Sequence, residues 1–148
     1  VGNEPLRFSP TVRILLPNTE LQAGVDDGTG SVINIQENTD TAKVLQVQID
    51  VAPFTAAAGN VFLEFISSTN NGTPFDGTGG ETSTTMTVAM PGVTRQPVSN
   101  LFTVAIEDEL ADNQIGLCII RRGTNAADTY PGNIQVTSIR VIAQRWRV

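Results

Sequence analysis

The carboxylates are the side chains of this sequence best placed to do chemistry. The chain has 15 Asp and Glu residues and no His. An Asp opens each copy of the repeated tetrapeptide Asp-Gly-Thr-Gly, at residues 27–30 and 76–79. A catalytic pair of aspartates, as in an aspartic protease, would need Thr directly after Asp, whereas Gly28 separates Asp27 from Thr29. The copies are also too close in sequence to belong to two lobes, so this chemistry is disfavoured.

A calcium site is the second chemistry that these acids allow. Asp26, Asp27, Asp76 and Glu81 offer hard oxygen ligands on loops, and calcium takes six to eight oxygens. Their spacing does not match the acidic calcium-loop pattern, and no helix follows the glycines to bind a phosphate. We therefore predict no metal and no cofactor, and interpret both repeats as turns, because Gly accepts positive φ and Asp bonds its own backbone.

Catalysis by other groups is disfavoured by composition. Without His there is no Ser-His or Cys-His pair. Glu64 and the acidic run Glu107-Asp108-Glu109 provide enough carboxyl groups for the two catalytic acids of a glycosidase. Acidic runs at strand ends, however, are usually solvated. Cys118, the only cysteine, lies among apolar residues and is expected to be a buried, inert thiol. The sequence predicts a protein that is not an enzyme.

Carbohydrate binding is the alternative that composition leaves open. Many carbohydrate-binding modules are β-sandwiches of this size that present aromatic platforms. Trp146 and Tyr130 are the only Trp and Tyr of the chain. A glycan site would be built on Tyr130, in the loop "AADTYPGN", together with Asn125 and Asp128.

Alternation of apolar and polar residues dominates the elements that must position these groups. In "KVLQVQID", apolar and polar residues alternate, as in a strand with one buried face. Similar runs predict eight strands, in 11–17, 31–36, 43–50, 61–66, 84–90, 100–107, 115–121 and 133–148. Turn-forming Gly, Asn, Asp and Pro separate them, and crossover helices are missing. The fold class is therefore predicted to be all-β, an antiparallel β-sandwich, with an eight-stranded jelly roll as the best single topology.

Three local features refine this prediction. The last run changes the parity of its apolar residues near Ser138, which predicts a β-bulge there. The segments "PFTAAAGN" and "EDELADN" are each long enough for only a helical turn or two. The domain organisation is predicted as an extended arm over residues 1–10, followed by one β-sandwich domain over 11–148.

Charge limits the partners of the chain. The formal net charge is −6 and the sequence pI is near 4.4, so free nucleic acid is not an expected partner. No apolar run approaches the length of a membrane span, and the first residues lack a signal-peptide pattern. We expect a soluble, unsecreted chain.

The chain resembles virion accessory proteins of tailed bacteriophages, namely capsid decoration or cement proteins and small jelly-roll modules of fibres. The resemblance rests on the Pro-punctuated leading segment "NEPLRFSPTVRILLP", on Thr-, Asn- and Gly-rich loops, and on the terminal strand "VTSIRVIAQRWRV". It implies a non-catalytic protein of the virion, assembled in the host cytoplasm onto capsid or tail proteins, often as a trimer.

Both ends of the chain carry residues typical of protein interfaces. Leu6 and Phe8 lie in a stiff, Pro-rich segment that suits an arm laid on a neighbouring subunit. Arg145, Trp146 and Arg147 place two guanidinium groups beside the only indole, and Arg and Trp are enriched at interface hot spots. We therefore expect a homo-oligomer, with a trimer favoured, whose contacts involve these five residues.

Overall fold

The fold is a two-layer antiparallel β-sandwich. It was obtained as a computed structural model, which describes residues 12–14, 19–34, 45–68, 81–104 and 114–142. The strands are β1 (Val12–Ile14), β2 (Thr19–Leu21), β3 (Asp26–Asn34), β4 (Leu45–Pro53), β5 (Asn60–Ser68), β6 (Glu81–Ala89), β7 (Val98–Val104), β8 (Gln114–Arg122) and β9 (Ile134–Ile142). No helix occurs among these residues, so the predicted all-β class is confirmed.

The order of the strands is that of a jelly roll. Sheet one runs β1/β2, β9, β4, β7, and sheet two runs β3, β8, β5, β6. Because β1 and β2 pair with consecutive stretches of β9, they form one edge in two pieces. Counted in this way the sandwich has eight strands, four in each sheet, as the sequence predicts.

Alternating apolar residues of both sheets meet between the layers. On β4 they are Val47, Ile49 and Val51, all fully buried. Phe65 of β5 and Phe102 of β7 stack across the two sheets with ring centroids 4.9 Å apart. The layers are therefore held together by the inward faces that the period-two pattern predicts.

The predicted bulge in the last strand is confirmed. Asp50 pairs with Ser138 and Val51 with Val136, so Thr137 has no partner on β4. The Thr137 hydroxyl donates to the backbone oxygen of Asp50 at 3.2 Å. Because one extra residue is inserted here, Val136 and Ile139 both face the core although their sequence parity differs.

The prediction that residues 27–30 form a turn is wrong. They lie inside β3 and pair with β8 one by one, from Asp27 opposite Arg121 to Gly30 opposite Cys118. A Cβ on Gly30 would lie 2.9 Å from the backbone oxygen of Leu117. Here glycine permits the close approach of two strands, and the pairing with β8 overrides the local turn preference of Asp-Gly. The second copy, residues 76–79, lies outside the described residues.

Two further sequence predictions need correction, and two others cannot be compared with the described residues. The helical turn predicted in "PFTAAAGN" is wrong, because residues 54–59 form a loop without a helical turn. Cys118 is half-buried, since it lies between the inward-facing Leu117 and Ile119 and points away from the core. The second helical candidate, residues 107–113, falls outside the described residues, as does the arm over 1–10.

Truncating Phe102 should test how much the contact between the sheets stabilises the fold. We expect Phe102→Ala to lower the free energy of unfolding by about 3–5 kcal/mol, because it removes a buried ring and leaves a cavity against Phe65. The neighbouring Leu101 is 51% exposed on the other face. Leu101→Ala should therefore cost less than about 1 kcal/mol. Urea unfolding followed by tryptophan fluorescence measures both, and equal losses would contradict the assignment of faces.

Candidate functional site

Four loops gather at one end of the sandwich, which we call the loop end. Antiparallel strands alternate in direction, so the connections after β2, β4, β6 and β8 share this end. They are residues 22–25, 54–59, 90–97 and 123–133. Backbone hydrogen bonds join them, for example from Phe54 N to Asn133 O at 3.1 Å and from Met90 N to Gly59 O at 3.0 Å. The loop end is therefore one connected surface.

A buried ion pair organises the longest of these loops. Arg121, at the inward position of β8, has a fully buried side chain, and that of Asp128 is 2% exposed. The guanidinium binds the carboxylate through two bonds, Nε to Oδ2 at 2.9 Å and Nη2 to Oδ1 at 2.7 Å. A bidentate pair of this kind is strong and fixes direction as well as distance.

Backbone groups satisfy the rest of this pair. Arg121 also donates to the carbonyl oxygens of Gly132 and Tyr130, each at 2.7 Å. Asp128 Oδ2 accepts a further bond from Phe62 N at 3.1 Å. Because two buried charges are costly unless each is fully bonded, this arrangement is one that the interior tolerates. It leaves neither charge available for a ligand.

Tyr130 has a structural role in the same loop. Its side chain is buried, and its hydroxyl donates to Thr55 O at 2.9 Å and lies 3.0 Å from Thr55 Oγ1. The Arg121 guanidinium carbon lies 5.7 Å from the centre of its ring, within cation–π range. Tyr130 therefore cannot stack on a sugar without leaving its site.

The other members of the sequence-predicted glycan site are also engaged. Asp128 is the partner of Arg121, and Asn125 Oδ1 accepts a bond from Ala127 N within the turn at 2.9 Å. A shallow depression of about 370 Å³ does lie here, lined by Ala23, Gly24, Gly123, Asp128, Thr129, Tyr130 and Pro131. Trp146, the other aromatic candidate, falls outside the described residues.

Glu64, a candidate glycosidase acid, lies in an ion cluster at the rim of the loop end. Its Oε2 accepts from Arg122 Nε at 2.5 Å, and its Oε1 accepts from Ser83 Oγ at 2.5 Å. The bond from Ser83 and the Arg122 guanidinium together lower the pKa of Glu64, against the effect of partial burial. A catalytic proton donor needs a raised pKa, so this carboxyl is unsuited to that role. The second candidate, the run at 107–109, falls outside the described residues.

The described candidates for calcium binding hold bonds to protein groups. Asp26 accepts from Thr124 Oγ1 at 2.8 Å and from Arg122 Nη1 at 3.2 Å, and the bonds from Thr124 lower its pKa. Asp27 Oδ2 accepts from Gln22 N at 3.0 Å. No cluster of three metal-ligating side chains occurs in the described ranges, to which Asp76 and the side chain of Glu81 do not belong.

A further carboxylate network lies on the outer face of sheet one. Asp50 accepts from Ser138 Oγ at 2.7 Å, from Ser99 Oγ at 2.6 Å and from Gln48 Nε2 at 3.3 Å. Partial burial opposes its ionisation, but these bonds and the charge of Arg140 outweigh burial and lower its pKa. The network ties β4, β7 and β9 together beside the bulge.

One of these groups, Arg121, was detectable in the sequence and was missed. Arg121 shares the inward parity of Leu117 and Ile119, and a cation at such a position demands a buried partner nearby. The sequence predicts instead that Leu6, Phe8, Arg145, Trp146 and Arg147 supply the contacts of the protein. Those five residues lie outside the described part of the chain, so that prediction stays a prediction.

Comparisons with known proteins identify no family for this chain. No family model matches the chain, and no curated protein matches it. Among solved structures, latent PorU of Porphyromonas gingivalis matches 99% of this chain at 8% identity with a TM-score of 0.47. The chain spans only 14% of that protein.

Two smaller domains also match. A family 11 carbohydrate-binding module of Clostridium thermocellum matches 95% of this chain and 86% of its own, at 12% identity with a TM-score of 0.39. The coat protein of Tobacco streak virus matches 92% of this chain and 87% of its own, at 12% identity with a TM-score of 0.33. With TM-scores below 0.5, these likenesses carry no conclusion about function.

In the described part of the chain no helix is long and apolar enough to cross a membrane.

Removing the charge of Asp128 should show how strongly the loop end depends on it. We expect Asp128→Asn to lower the free energy of unfolding by about 3–5 kcal/mol, because it leaves the Arg121 charge buried without a counter-charge. Asp26→Asn is the matched control, since the Arg122–Asp26 pair is more than a third exposed and should matter far less. Urea titrations measure both, and similar losses would show that the buried pair has no special role.

Stability should fall in acid through the carboxylates of lowered pKa. Unfolded Asp and Glu titrate near their ordinary pKa values of 3.8 and 4.5, and the folded values of Asp50 and Glu64 lie lower. Their contribution is therefore complete above the unfolded values and is lost as pH falls through the folded ones. We expect the urea midpoint to be steady from about pH 7 to 5 and to drop below about pH 4. Asp50→Asn should make that drop shallower, and an unchanged slope would contradict the assignment.

Proposed function

We propose that this chain is a non-catalytic structural module of a virion that acts by protein–protein assembly. Capsid decoration is the placement that we favour. The observation that carries the proposal is the surface of the loop end, which is poor in free charge although the chain as a whole carries 24 charged residues and a net charge of −6.

The four loops contain only two charged residues. They are Asp128, which is buried against Arg121, and Arg95, which is exposed. Three of the four large hydrophobic side chains exposed in the described residues also lie here: Val25 (45%), Phe54 (37%) and Val93 (53%). Depletion of charge around exposed apolar groups is the composition of the core of a protein interface.

The order of the loops supports binding of a protein. Hydrogen bonds from Thr55 to Tyr130 and from Arg95 N to Pro53 O, the latter at 2.8 Å, hold neighbouring loops in fixed positions. A surface ordered in advance loses little conformational entropy when a partner binds. The Asp128 carboxylate is buried against Arg121 and the Asp26 carboxylate is bonded by Thr124, which supports the non-catalytic part of the proposal.

The resemblance of the whole sequence to phage accessory proteins supports placement in a virion, and jelly rolls are frequent among capsid proteins. The trimer and the contacts through both chain ends belong to the same proposal. Carbohydrate binding gains no support from the loop that was its best candidate, because Tyr130 is buried.

Incorporation into particles tests the proposal. We expect an antibody against the chain to label gradient-purified particles assembled from the same genome, and Phe54→Ser with Val93→Ser to reduce the labelling about tenfold or more. Leu101→Ser is the matched control, since Leu101 is equally exposed but lies on the outer face of sheet one, away from the loops. A chain expressed in the lysate but missing from the particles would overturn the proposed function.

A further inference from the structure

The loop end carries two unlike patches at different positions. The first, which we call the Arg patch, consists of Phe54, Val93 and Arg95. Its two apolar side chains are 37% and 53% exposed. Arg95 N donates to Pro53 O at 2.8 Å, which places this loop directly beside Phe54.

Arg95 is presented in an unusual way. Its φ is 63°, and it is the only non-Gly residue with positive φ in the described ranges. This conformation is costly for a branched or long side chain and persists only when its surroundings hold it, here the bonds from Arg95 N to Pro53 O and from Gln96 N to Val93 O. The side chain is exposed and forms no ion pair with another described residue. The backbone of Arg95 is therefore strained at a position where its charged side chain is exposed in the same patch as the apolar Phe54 and Val93.

The second patch, which we call the acidic patch, consists of Glu20, Val25 and Asp27. Glu20 accepts a bond from the amide of Asn133, and Asp27 accepts one from Gln22 N. Both donors are neutral, and neither carboxylate forms an ion pair within the described ranges. Val25, between them in sequence, is 45% exposed.

The shallow depression of the loop end adjoins the acidic patch. Ala23 and Gly24 line one side, directly before Val25, and Gly123, Thr129 and Pro131 line the other. The exposed lining of the depression is more polar than apolar. The only charged residue of the lining, Asp128, is already bonded to Arg121.

Within one chain the two patches do not contact each other. Glu20 lies on β2, at one edge of sheet one, whereas Arg95 N is bonded to Pro53 O at the end of β4, two strands away. Two inter-strand spacings are roughly 10 Å, and no ion pair of the described residues joins the patches. Each patch has exposed apolar surface and at least one charged side chain that forms no ion pair within the described ranges, and the charges of the two patches have opposite sign.

We propose that the Arg patch of one copy of this chain docks on the acidic patch of the next copy. Arg95 would then pair with Glu20 and Asp27, while Val93 or Phe54 packs against the exposed Val25. The contact is head to tail, so it joins different surfaces of identical chains and closes into a ring when the rotation per copy allows. This inference rests on the assembly part of the proposed function and names its partner as a second copy.

Sedimentation of the full chain tests the contact through charge. A wild-type monomer has a mass of 15.8 kDa, and we expect larger species at tens of micromolar that weaken as salt is added. Arg95→Gln and Gln46→Glu lower the net charge equally, and Gln46 is exposed on sheet one away from the loop end. Only Arg95→Gln should weaken association, by about tenfold in dissociation constant.

Mixing two variants gives a sharper test. Arg95→Glu retains an intact acidic patch, and Glu20→Gln with Asp27→Asn retains an intact Arg patch. Each alone should associate more weakly than the wild type, and an equimolar mixture should form a dimer and nothing larger, because only one intact contact can form. Circular dichroism with thermal melting verifies that each variant is folded.

The outcomes separate this inference from the proposed function. A wild-type chain that stays monomeric at about 100 micromolar, or folded patch variants that associate as the wild type does, would overturn the head-to-tail contact. Loss of the oligomer only in Leu6→Ser with Phe8→Ser would also overturn it, while leaving assembly through the arm in place. Whether the chain occurs in particles is decided by antibody labelling, independently of these results.

Discussion

The Arg121 guanidinium constrains the architecture of the loop end. A cation placed on the inward face of a strand must be surrounded by acceptors, and β8 itself offers none at that position. The loop after β8 supplies them, with the Asp128 carboxylate and the carbonyl oxygens of Tyr130 and Gly132. The path of residues 123–133 is therefore dictated by the hydrogen-bonding needs of one side chain.

That path has effects on the neighbouring loops. With Tyr130 held below the guanidinium, its hydroxyl reaches Thr55, and the backbone of Asn60 is bonded by Thr129 on both its N–H and C=O groups. Gly59, with φ of 145°, has no space for a Cβ, which would lie 2.7 Å from the Cα of Tyr130. The positions of the loops that carry Phe54 and Arg95 therefore depend on the buried Arg121 guanidinium.

The sequence predicts the strands of this protein and their buried faces better than it predicts the pairing of strands and the contacts of individual side chains. Alternation identified eight strands and even the bulge, because burial of one face is a local, periodic signal that Ile134 to Val141 record directly. The pairing of strands depends on residues far apart in sequence, and for this reason the turn predicted at residues 27–30 is wrong. Asp-Gly by itself favours a turn, whereas the pairing with β8 places Gly30 in a strand. Within the candidate site, Tyr130 was correctly located but wrongly interpreted, since its type predicts exposure in a loop while its hydroxyl and ring are used inside. The positive φ of Arg95 could not be predicted, because arginine as a residue type does not favour that conformation.

The pairing of early strands with late ones also orders events during synthesis. Val12 pairs with Val141, and Asp26 pairs with Arg122, so β1, β2 and β3 find their partners only in β8 and β9. Those two strands are inner strands, and each is bonded to one edge of its sheet, β9 to β1 and β2 and β8 to β3. Contacts so far apart in sequence close slowly, and β1, β2 and β3 have no sheet partner until β8 and β9 have been synthesised. A hairpin of β5 and β6 is the one sheet pairing between consecutive described strands that can form before β8 emerges, and it is the natural starting point for folding.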